Sequence, residues 1–200
     1  MFIQVITGTV TDPEGLRRQS DRWQDELRPG AIGYLGATAG VTNDGRSIAM
    51  IRFDSEASAR ANSERDEQGA WWAETEKCLD DVSFQESSDI TTLLGGGSNA
   101  AGFVQVMRGR VTDPAKLAGL KGRLGEFEAA LRQIRPEILG EVMAIHPDGT
   151  YTDAVYFRSE AEARAAESKE IPAAVEALLG EYMSTIAVED YLDLQDPWLH

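Results

Sequence analysis

Two hundred residues, 42% hydrophobic and 26% charged, suit one large globular domain or two small ones. The net charge of −15 is shared by both halves of the chain, without the clustered Lys/Arg that nucleic acid or an anionic membrane would require, so neither is an expected partner. The lone Cys78 excludes an intramolecular disulfide and fits a reducing cytoplasm; the opening MFIQVITGTV does not read as a signal peptide, and no apolar run approaches the ~20 residues of a membrane span.

In chain order, residues 2–10 are β-rich and run into Thr11-Asp12-Pro13, a helix start with proline in the first turn. Leu16, Trp23 and Leu27 give that helix a partial apolar stripe, and Arg28-Pro29 ends it. Strands at 31–42 and 46–53 flank Asn43-Asp44-Gly45, a hairpin signal. Ser55 is a candidate N-cap for a second helix over 55–79 that should break near Gln68-Gly69, and 82–92 reads as a closing strand. Gly95-Gly-Gly-Ser-Asn-Ala-Ala101 follows. It lacks the Lys-Ser/Thr and helix of a phosphate loop and reads as a linker.

The series then repeats. Nine of the fifteen positions from 2 to 16 recur identically 101 residues later, Phe2-Ile-Gln-Val answering Phe103-Val-Gln-Val. Arg28-Pro29 and Gly33 match Arg135-Pro136 and Gly140 at an offset of 107, and Phe53 with Ser55-Glu-Ala57 matches Phe157 with Ser159-Glu-Ala161 at 104. These offsets imply six extra residues in or just after the second copy's first helix, and three extra in the first copy's second strand and hairpin. Leu117, Leu120, Leu124, Phe127, Leu131 and Ile134 predict one continuous helix in copy two; strands follow at 138–146, 150–157 and 183–192, with a second helix over 159–180 interrupted at Pro172.

Each copy therefore reads β-α-β-β-α-β, giving an α+β fold of two tandem ferredoxin-like modules, 1–94 and 102–200, joined by 95–101. A four-stranded sheet with helices on one face needs a cover for the other, and the second copy is the predicted cover. Such an internal pseudo-dimer is expected to be a monomer or a simple homodimer.

Two βαββαβ modules, each with a hairpin Asp-Gly, a phenylalanine ending the third strand (Phe53, Phe157) and Ser-Glu-Ala-x-Ala-Arg opening the second helix, resemble the dimeric α/β-barrel superfamily, and within it the antibiotic-biosynthesis-monooxygenase type of domain. The resemblance covers nearly the whole chain. It implies an intramolecular barrel and a ligand pocket between sheet and helices. Relatives of this kind include cofactor-independent oxygenases acting on polycyclic aromatics, haem-degrading enzymes and proteins of no known activity, so the fold alone does not choose among them. The haem-degrading branch uses a histidine on a helix, and neither second helix has one. No cofactor is expected.

The candidate ligand-binding residues are Gln4, Trp23, Phe53, Trp71 and Trp72. Trp71-Trp72 is the most unusual dipeptide. Adjacent helical residues point about 100° apart, so one side chain can pack inward with Thr75 and Cys78 while the other forms a rim. Both can equally wall a pocket, since flat π surfaces hold flat ligands. At an offset of 104 Trp71 matches Val175 and Trp72 matches Glu176, so any aromatic pocket belongs in copy one. Gln4 and Gln105 recur on the first strand, facing a pocket or pairing with each other. Arg52 and Tyr156 fall opposite Phe53 and Phe157 by strand alternation, a place for interface packing. His146, Asp148 and Asp153 fall short of a zinc set, His146 reading as an exposed turn residue, and no metal is expected. No residue pattern identifies a catalytic group. Two functions fit: a cofactor-independent monooxygenase-like enzyme acting on a small aromatic or apolar molecule, and a non-catalytic binding or scaffold protein that keeps the fold.

Overall fold

The computed structural model describes residues 1–200, apart from the side chain of Ala174. The chain forms two compact units, Met1–Ser88 with Trp198–His200, and Asp89–Pro197.

The first unit runs β1 (Phe2–Val10), α1 (Pro13–Arg22), a π-helical turn (Trp23–Leu27), a 3-10 turn (Arg28–Gly30), β2 (Tyr34–Val41), β3 (Arg46–Phe53), α2 (Glu56–Ser63), α3 (Asp66–Thr75) and β4 (Leu79–Ser87). The second repeats this as β6 (Phe103–Val111), α4 (Pro114–Lys121), α5 (Leu124–Ile134), β7 (Ile138–Ile145), β8 (Thr150–Phe157), α6 (Glu160–Glu167), α7 (Ala173–Met183) and β9 (Ile186–Leu194). Each unit holds an open antiparallel sheet of ferredoxin-like order, extended by one further edge strand. The orders are β10-β2-β3-β1-β4 and β5-β7-β8-β6-β9, with β5 at Asp89–Leu93 and β10 at Trp198–Leu199. The edge strand of the second sheet thus comes from the end of the first copy, and that of the first sheet from the end of the second copy.

The local signals act as their chemistry requires. The Asp12 and Asp113 carboxylates accept the Gly15 and Lys116 amides at 2.8 and 2.9 Å, capping helices that open on proline. Ser55 and Ser159 cap α2 and α6 in the same way, each at 3.2 Å. Gly45 and Gly149 take left-handed φ of +83° and +81° at the hairpin tips, where only glycine turns without strain.

Several expectations change. The second helix of copy one breaks at Glu64–Arg65 rather than at Gln68-Gly69. Arg65 turns extended because its guanidinium donates to the Leu27 carbonyl and Asn62 Oδ1, both at 3.0 Å, while Gly69 stays helical with its amide bonded to the Arg65 carbonyl. The long apolar stripe of copy two is two helices, interrupted where Gly122 and Arg123 close 3-10 bonds to Gly119 and Leu120. The closing strand of copy one begins earlier than expected, at Leu79, and that of copy two three residues later, at Ile186, while residues 89–93 form a separate strand. The pairing register also relocates the insertions. Gly36 and Gly140 both follow a bulge and oppose Arg52 and Tyr156, so β2 and β7 align at 104 throughout. The three extra residues of copy one precede β2, and its hairpin carries none. Likewise Thr11 and Thr112 donate to the Cys78 and Thr185 carbonyls at 2.9 and 2.8 Å, fixing the end of the last helices at 107. Trp71 and Trp72 therefore correspond to Leu178 and Leu179, not to Val175 and Glu176.

Candidate functional site

That register explains where open space lies. On the helix-facing side of β7 and β8 stand Glu141, Met143, Tyr151 and Asp153; the equivalent positions on β2 and β3 are Ala37, Ala39, Ser47 and Ala49. Small side chains leave the space above the first sheet unfilled. A cavity of about 350 Å³ lies there, between the sheet and the helices of the first unit. The corresponding space in the second unit is a slot of about 80 Å³ lined mainly by Leu117, Leu120, Leu124, Phe127, Leu131 and Tyr182.

The first cavity is bounded by aromatic rings. Its floor is the alanine and serine patch with Ile6, Ile51 and Phe53, and its roof comes from Leu16, Trp23, Trp71 and Trp72. Trp23 opens the π-helical turn, whose wider backbone ring (Arg28 N–H to Trp23 C=O) brings Trp23 and Leu27 both inward. The two indoles that reach deepest are pinned by hydrogen bonds. Trp23 Nε1 donates to Gln68 Oε1 and Trp71 Nε1 to the Gln19 carbonyl, each at 2.8 Å. Rings continue around the wall, with Tyr34 4.8 Å from Trp23 and 6.0 Å from Phe53 between centroids. Trp72 meets Phe84 at 5.2 Å, and Phe84 is largely exposed, so this pair forms a rim.

The polar groups fall at two ends. At one, Gln4 Nε2 donates to Glu86 Oε1 at 3.1 Å, and Arg60 closes on the same carboxylate. At the other stand Gln24, Tyr34 and His200. Gln24 Nε2 donates to the Tyr34 hydroxyl at 3.4 Å, which leaves the phenolic proton available to the cavity. Burial pushes the Tyr34 phenol above its ordinary value, so it stays protonated at neutral pH. His200 is carried in by β10: its amide donates to the Ala37 carbonyl at 3.0 Å, and its carbonyl accepts from Ala37 at 2.8 Å and from Arg52 Nη2 at 3.3 Å. Burial, then the charges of Arg28 and Arg17, hold its imidazole below the usual histidine range, so it is neutral at physiological pH.

All five candidates named from the sequence, Gln4, Trp23, Phe53, Trp71 and Trp72, border this one cavity. Gln4 bonds within its own unit, as Gln105 does with Asp193 at 2.9 Å. Arg52 is buried, with Nη1 on Thr38 Oγ1 at 3.1 Å. His146 is buried rather than exposed: its Nε2 shares a hydrogen bond with Thr152 Oγ1 at 3.0 Å, because the hairpin folds the ring back onto β8. Thr152 and Asp153 point to opposite faces of their strand, so the histidine and that aspartate are not brought together. Sequence reasoning missed Gln24, Tyr34, Trp198 and His200. Tyr34 stands where copy two has Ile138, a difference visible once the strands are aligned. Trp198 and His200 carried no signal, since nothing local ties a three-residue tail to a strand 160 residues earlier.

The fold of the whole chain is shared with solved structures. A monooxygenase candidate from Lactobacillus acidophilus superposes with a TM-score of 0.72 at 9% identity, covering 100% of this chain and 98% of the other. One from Fusobacterium nucleatum gives 0.72 at 10%, covering 100% and 93%. An anthrone oxidase-like protein gives 0.65 at 13%, covering 99% and 90%. The likeness to these three structures holds at the level of the fold, over 99–100% of the chain. No protein-family model matches the chain, and no curated protein matches it in sequence. Among the described residues no helix is long and apolar enough to cross a membrane.

Proposed function

We propose that the first unit binds a small, flat, largely apolar aromatic molecule and that the protein is a cofactor-independent monooxygenase acting on it. The observation that carries this reading is the aromatic-walled cavity of about 350 Å³ in one unit, against about 80 Å³ in the other. In this chemistry an activated methylene of the substrate loses a proton, and the carbanion reduces O2 to a substrate-bound peroxide. Loss of water from the peroxide then leaves a ketone. In sum the methylene and one O2 become one carbonyl and one water, and the substrate supplies all the electrons. The protein must exclude water, accept one proton and stabilise the developing oxyanion. The neutral His200 imidazole suits the proton, and the Tyr34 hydroxyl suits the oxyanion.

The test has two stages. Tryptophan emission is titrated with a panel of naphthols and anthrones, and oxygen uptake is then followed with any anthrone that binds. The reading expects saturable quenching and one O2 consumed per ketone formed. Saturable binding without oxygen uptake would leave the non-catalytic binding protein as the function. No binding across the panel would refute the pocket itself.

A further inference from the structure

Two arginines stand beside one end of the cavity in a chain whose net charge is −15. The Arg17 guanidinium sits 5.0 Å above the ring of Trp198, which lines the cavity. Arg28 Nη1 lies 3.5 Å from Oε1 of Gln24, which also lines it. The local acids only partly answer them. Asp21 pairs with Arg17 at 3.3 Å, and Glu26 is engaged by Arg22 at 2.8 Å. Among the described residues Arg28 has no carboxylate within ion-pair distance. The opposite end is already neutralised, because the Glu86 carboxylate beside Gln4 is held by Arg60.

We propose that the ligand of this cavity carries an anionic oxygen, and that Arg17 and Arg28 select for it at the Gln24–Tyr34–His200 end while its ring lies among the tryptophans. This rests on the binding reading above and narrows it to acidic aromatics: carboxylates, or phenols and enols that bind as their anions. The Gln24 amide and Tyr34 hydroxyl supply neutral donors at that end, and the arginines supply the field. His200 belongs to the same group. Burial is the first reason its imidazole stays neutral, and the charges of Arg28 and Arg17 add to it, as they would favour an anion.

The experiment compares three ligands of one shape, 2-naphthoate, 2-naphthamide and 2-naphthylmethylammonium, by calorimetric titration at pH 7.5 in low and high salt. The carboxylate is expected to bind at least ~10-fold more tightly than the amide, and the ammonium least. The gap should shrink at high ionic strength, where Debye screening weakens the arginines' reach. Arg28→Ala should narrow the gap without changing amide affinity, and Arg28→Lys should largely restore it. Unchanged amide affinity certifies that the variant is folded. Equal binding of amide and carboxylate, or preference for the ammonium, overturns the anion proposal and leaves the pocket reading standing. Failure of all three to bind overturns both.

Discussion

Replacing Asp153 by asparagine should stabilise the second unit by an amount that grows with pH. Asp153 lies on β8 with both carboxylate oxygens buried and without a hydrogen-bond partner, beside the equally unpartnered Tyr151 hydroxyl. Burial pushes its carboxyl up to about 7, and Glu141, raised by burial and by Asp153, shares the strain. The folded-state value is raised, so the protonated form is favoured on folding. Below about pH 4 the group is protonated in both states and contributes no pH dependence. Between about 4 and 7 the unfolded chain ionises while the folded one does not, and stability falls by up to ~1.4 kcal/mol per pH unit. Above about 7 the loss is complete, at most ~4 kcal/mol. Asparagine keeps the shape and removes the charge. A buried amide has its own unsatisfied groups, which shift stability by a constant ~1–3 kcal/mol, so the pH slope is the diagnostic quantity. The assay is urea unfolding at pH 5 to 8, followed by far-UV circular dichroism, since all four tryptophans lie in the first unit and report only on it. The difference between variant and wild type should rise to a plateau near pH 7. A difference flat across that range would refute the reasoning.

Other substitutions test the cavity. Ala39→Met, the residue found at the matching position in the second unit, should abolish naphthoate binding while changing stability by no more than ~1 kcal/mol, read as a binding isotherm beside a melt. Trp71→Ala should cost about 3 kcal/mol and remove ligand binding, because it deletes both a roof ring and the bond to the Gln19 carbonyl. Gly36 has φ of +141°, and a Cβ there would lie 2.2 Å from the His200 carbonyl oxygen. Gly36→Ala should therefore detach β10, seen as a rise of the His200 pKa to the free-histidine value by NMR with little loss of global stability.

Much of the frame is legible in the sequence because it depends on local chemistry. β1, β3 and β8 fall on the predicted residues, and the caps at Asp12, Ser55, Asp113 and Ser159 follow from residue type. What escaped is set by contacts distant in sequence. The break at Arg65 depends on a carbonyl at Leu27, and β5 and β10 depend on edges of sheets elsewhere in the chain. The tryptophans were visible as wall material, but the cavity comes from what is missing opposite them. Ala37, Ala39, Ser47 and Ala49 gain meaning only against Glu141, Met143, Tyr151 and Asp153. Asp153 itself was hidden in Tyr151-Thr-Asp-Ala, where its polarity suggested the hairpin surface instead of the core.

The period of the sequence and the period of folding are out of step by one strand. A gene cut at the glycine-rich segment 95–101 would produce two polypeptides that each look like a complete repeat, yet the first would lose Trp198–His200 and the second Asp89–Leu93. Each fragment would expose the bare edge of β2 or β7, an invitation to pair with other chains. The first would also lose the histidine and tryptophan at one end of its cavity. Fragments meant to isolate a single functional module should instead be divided after Ser88, with the last three residues supplied to the first piece.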